Sequence, residues 1–123
     1  MEFTSPEIFD WLERSDDEAV DALSFGVVRM DEHGQATLYN TYESRQAGLP
    51  KTEVLNQVFF EQIAPCMNNL MVAGRFAESR HAKSTLDTII DYVLAFRSTV
   101  VPVKLRLLYS PGVACHYLLI HRL

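Results

Sequence analysis

Tyr39, Glu43 and Cys66 are the residues whose types and spacing could act together on a ligand. Tyr39 offers a phenolic O–H, and Glu43 follows it by four. If a helical turn begins at Asn40, that spacing brings the phenol and the carboxyl to one side. Cys66 ends the apolar stretch Phe59-Phe60-Glu61-Gln62-Ile63-Ala64-Pro65-Cys66. A thiol there is a natural nucleophile toward an activated acyl group. Taken singly, each residue has an ordinary reading: a Cys in apolar company is an inert core thiol, and a Tyr and a Glu near a turn lie at the surface. Together they describe a phenol, a carboxyl and a thiol around one cavity.

The elements that must position these groups follow from the pattern. Ser5-Pro6-Glu7 reads as a helix start, and Ser15-Asp16-Asp17-Glu18 as a second. These two short helices form an N-terminal cap over residues 1–24, with the core domain over residues 25–123. Phe25 to Met30 and Ala36 to Tyr39 read as strands around the turn Asp31-Glu32-His33-Gly34. From Asn40 to Leu70 the pattern is short helical turns broken by Gly48-Leu49-Pro50 and Ala64-Pro65, a wall rather than a sheet. Asn68 to Ser84 reads as the one long helix, with Leu70, Met71, Ala73, Phe76 and Ala77 inward and Arg75, Glu78, Arg80 and Lys83 outward. Three strands complete the chain: Leu86 to Phe96, a strand around Val103 to Leu107, and Val113 to Leu123, with Cys115 in the core. The class is α+β, an antiparallel sheet of about five strands with helices packed on one face.

Composition narrows the function. The formal charge is −5, and the basic residues are scattered, which argues against a nucleic-acid or anionic-membrane partner. Cys66 and Cys115 make no disulfide framework, the N-terminus has no signal-peptide pattern, and no run approaches roughly 18 apolar residues; a cytoplasmic protein is expected. His33, His81, His116 and His121 lack metal spacing, so no metal site is expected. There is no phosphate loop, nucleophile elbow or carboxylate pair, and no enzyme is predicted.

The chain resembles the photoactive yellow protein family, bacterial blue-light receptors with the PAS fold. The resemblance is carried by Leu23 to Asp31, Leu38-Tyr39-Asn40-Thr41-Tyr42-Glu43, Phe59 to Cys66, Gly74-Arg75-Phe76 and Pro102-Val103-Lys104. It implies p-coumaric acid held as a thioester on Cys66, with its phenolic oxygen held by Tyr39 and by a protonated Glu43. Val28, Phe59, Ile63, Ala64 and Leu94 would surround it. Light-driven trans–cis isomerisation, proton transfer from Glu43 and partial unfolding would then make the signal, read by a downstream signalling protein whose identity is unknown. An uncompensated Glu43 carboxylate would drive the unfolding. The sequence departs from the family pattern at Ala47 and Leu49, where a Thr and an Arg are usual, and at Arg97-Ser98-Thr99-Val100-Val101, which lacks the usual Met. Those departures favour the alternative, a light-insensitive PAS ligand-binding or interaction module. A thiol enzyme would need a base beside Cys66, and no His is near it in sequence.

Overall fold

A computed structural model describes residues 1–96 and 98–123; Arg97 and the Phe96 side chain lie outside the description. The elements are α1 (Ile8–Arg14), α2 (Asp17–Asp21), β1 (Gly26–Met30), β2 (Ala36–Tyr39), α3 (Thr41–Ala47), α4 (Lys51–Val54), α5 (Ala73–Ala82), β3 (Leu86–Phe96), β4 (Thr99–Tyr109) and β5 (His116–Arg122). Between α4 and α5 lie a π-helical turn, Phe59–Ile63, and a 3-10 turn, Pro65–Met67. The five strands form one antiparallel sheet in the order β2-β1-β5-β4-β3, so the last strand lies at its centre.

Alternation along the strands divides the core in two. Val28, Leu105, Leu107, Leu118 and Ile120 join Phe59, Phe60, Met67 and Phe76 on the face covered by α3 to α5. Val27, Leu108, Tyr117 and Leu119 face the other way and meet Phe3, Ile8, Leu12 and Val20. The N-terminal segment therefore roofs the face opposite the cavity. Each of those four apolar side chains contributes roughly 1.5–3 kcal/mol before the entropy of ordering it.

The predicted order of elements holds, with two corrections. The long helix begins at Ala73 rather than near Asn68, because the Asn69 side-chain oxygen accepts the N–H groups of Met71 and Val72 in a tight turn. Its buried stripe is Val72, Phe76 and Ser79; Leu70, Met71 and Ala77 are exposed, and Arg80 turns inward over the Tyr109 ring. Cys115 is half-buried, its sulfur against the Glu13 carboxylate, rather than in the core.

Candidate functional site

Asn40 fixes the carboxyl of the site. Fully buried, it caps α3 by accepting the Glu43 N–H at 3.1 Å, and it accepts the Val27 N–H at 3.0 Å. Its amide donates to the carbonyls of Val20 and Phe25. One side chain thus ties α2, β1 and the first turn of α3 together. Tyr39 ends β2 immediately before this cap and Glu43 lies one turn into the helix, as the four-residue spacing predicts.

The thiol comes from the opposite wall. Phe59–Ile63 winds as a π-helical turn closed by the Ala64 N–H on the Phe59 carbonyl, and Pro65 starts the tight turn that carries Cys66. The Cys66 carbonyl accepts from the Tyr92 hydroxyl at 2.6 Å and from the Asn69 amide at 3.2 Å. The turn is thereby pinned to β3. Neither Tyr92 nor Asn69 was singled out in the sequence.

These walls enclose a cavity of about 190 Å³, partly open to solvent. An apolar cavity of about 150 Å³ already accommodates benzene. Tyr39, Glu43, Phe59, Ile63, Ala64, Cys66 and Leu94 all line it, so the structure brings together every predicted site residue except Val28, which packs in the adjoining core. Ala47 and Leu49, and Thr99 and Val101 from the departing stretch 97–101, line it as well.

Arg122 also lines the cavity, and sequence reasoning missed it. It stands on the cavity face of β5 beyond Leu118 and Ile120 and donates to both oxygens of Glu43, at 2.6 and 2.9 Å. Gly26 makes room for this pair: a Cβ there would lie 2.1 Å from Glu43 Oε1. Burial pushes the Glu43 carboxyl above its ordinary value while Arg122 pulls it down. A carboxylate at this position would meet the Arg122 guanidinium, a partner that the expectation of an uncompensated charge did not include. The Tyr39 hydroxyl has no hydrogen-bond partner among the described residues, and burial, reinforced by Glu43, raises its pKa well above the usual range. A buried phenolic donor facing a cavity is available to a ligand. Among the described residues, no group of three or more His, Cys, Asp or Glu is gathered to hold a metal. Among the same residues, no helix is long and apolar enough to cross a membrane.

The architecture is that of a PAS domain, shared with the PAS domain of a HTR-like protein from Haloarcula marismortui at a TM-score of 0.62 and 14% identity, over 97% of this chain and all of that one. No protein-family model matches the chain. The photoactive yellow protein of Halochromatium salexigens is 30% identical over 107 residues, 87% of this chain and 85% of that protein. The photoactive yellow protein domain of the sensor histidine kinase Ppr from Rhodospirillum centenum has a TM-score of 0.83 at 29% identity, covering 91% of this chain and 97% of that one. The chain belongs to the photoactive yellow protein family.

Proposed function

We propose that this protein is a cytoplasmic blue-light sensor that carries p-coumaric acid as a thioester on Cys66 and turns over no substrate. The observation that supports it best is that a thiol, an unpartnered phenol and a carboxyl line one largely apolar cavity. The residues present suit the group. Cys66 sulfur bonds to the acyl carbon of an activated acid, and the activating group leaves with the thiol proton. Phe59, Ile63, Ala64 and Leu94 pack an aromatic ring, and Tyr39 donates to its phenolic oxygen. When bound, the group supplies absorption of blue light and trans–cis isomerisation.

Glu43 holds the proton that passes to the phenolic oxygen, and the carboxylate it becomes is received by Arg122. Movement of Glu43 loads Asn40, whose amide holds the carbonyls of Val20 within the N-terminal cap and of Phe25 just after it. Partial detachment of residues 1–24 is the signal in this reading, and a downstream protein contacts the apolar sheet face that the cap covers.

The test is to incubate purified protein with the activated acid and record intact mass and visible spectrum before and after blue light. One acyl group that is lost in Cys66→Ser, with reversible bleaching, is the expected result. Glu43→Gln should stay coloured and lose most of the light-induced change in circular dichroism; full retention of that change would remove the proton-transfer step. Acylation without colour or bleaching would favour a light-insensitive binding module.

A further inference from the structure

Arg122 is the one cation among the described residues lining the cavity; Gln46 and Thr99 are neutral, and Ala47, Leu49 and Leu94 are apolar. Its side chain is 15% exposed and that of Glu43 is 5% exposed, so water screens neither charge well. We propose that Arg122 is the counter-ion of this cavity, holding a single negative charge that resides either on Glu43 or on the acidic oxygen of a phenolic ligand. The ligand class rests on the reading proposed above; the charge balance rests on the pair itself.

Three observations carry it. First, the pair is built in: both Glu43 oxygens meet the guanidinium fork, and the missing side chain at Gly26 leaves the space the carboxylate needs. Second, the phenol of Tyr39 shares the cavity, and its pKa, raised chiefly by burial, is raised further by Glu43 and lowered by Arg122, so a phenol at this end lies within the field of both. Among the described residues, the titratable groups around the guanidinium are Glu43, Tyr42 and Tyr39. Third, the charges do not permit two anions. Glu43 and a phenolate together would set two negative charges against one cation in an apolar site, and one of them must hold a proton. Arg122 thus sets how readily a bound phenol ionises, and Glu43 competes with the phenol for it.

The probe is p-nitrophenol, which forms no thioester and is yellow when ionised. Its titration is followed by difference spectroscopy in wild type, Arg122→Gln, Arg122→Lys and Glu43→Gln, with circular dichroism to check folding. In Arg122→Gln the pKa of the bound phenol should rise by about one unit or more, and Arg122→Lys should restore most of that shift. Glu43→Gln, which keeps the cation and removes its competitor, should move the pKa the other way and tighten binding of the ionised form about tenfold. If Arg122→Gln fails to fold, the downward shift in Glu43→Gln beside a near-wild-type titration in Arg122→Lys, which keeps the charge, still decides the matter. Equal titration in all folded variants, or no binding to wild type, overturns the proposal. Acylation of Cys66, read separately by mass, divides the two readings: its failure removes the thioester and leaves the Arg122 titration standing, and acylation with unmoved titrations does the reverse.

Discussion

Two arginines grip carboxylates from opposite faces of the same sheet. Arg106 on β4 faces the N-terminal segment and donates to both oxygens of Asp87 and to the carbonyls of Phe3 and Ser5, at 2.9 to 3.0 Å. Arg122 on β5 faces the cavity and donates to the two oxygens of Glu43. The ion pairs look alike, but the surroundings differ. Arg106 is 5% exposed and bonded to fixed main-chain groups, so it works as a latch that holds the cap on the sheet. Arg122 borders space that a ligand can enter, and its partner is a side chain that can take a proton. A buried arginine whose donors meet fixed backbone carbonyls is structural. One whose charge is balanced by a titratable group beside a cavity is able to respond.

Removing the latch should have the largest effect on stability. Arg106→Met leaves the Phe3 and Ser5 carbonyls without their donor, and we expect a loss of about 3 kcal/mol by urea unfolding. Residues 1–24 should become sensitive to limited proteolysis, while p-nitrophenol titrates unchanged in the folded fraction. An altered titration would erase the distinction between the two arginines.

Arg122→Gln should cost about 2 kcal/mol at neutral pH, because the buried carboxyl can take up a proton and so escape part of the penalty. The sign of the pH dependence follows. Without the cation, burial alone sets the Glu43 pKa, and the folded form binds the proton more readily than the unfolded form. The variant's urea midpoint should therefore rise as pH falls from neutral toward the ordinary carboxyl value of 4.5, relative to wild type. A pH-independent deficit would mean that Arg122 acts through packing. The Glu43→Leu/Arg122→Met double variant should recover most of the loss, as an apolar pair requires no desolvation of charge.

The smallest effect belongs to the pair between Lys104 and Asp91, at 2.7 Å but 45% and 82% exposed. Lys104→Ala should change stability by no more than about 0.5 kcal/mol. A larger loss would show that burial is the wrong criterion for ranking these pairs.

Much of the site was legible because it is local. A strand ending at Tyr39, a capping Asn40 and a carboxyl one turn later lie within a few residues, and helix geometry places them without reference to the rest of the chain. The apolar run before Cys66 and its Pro likewise foretold a wall and a turn. Val28 was assigned to the cavity through the family resemblance; it packs in the adjoining core, because resemblance does not decide which core side chains border empty space. The helix from Asn68 was overextended because periodicity cannot register one asparagine side chain capturing two backbone donors.

By itself the sequence determined the sheet-and-helix class, the phenol, carboxyl and thiol, and their order along the chain. Tertiary structure decided what neutralises the carboxyl. Arg122 lies 79 residues from Glu43, and no local periodicity relates them. They meet because β5 inserts beside β1, pairing Ile120 with Gly26, and because Gly26 has no side chain to occupy the space between. Charge compensation in a buried site depends on distance through space, and the order of strands in the sheet set that distance.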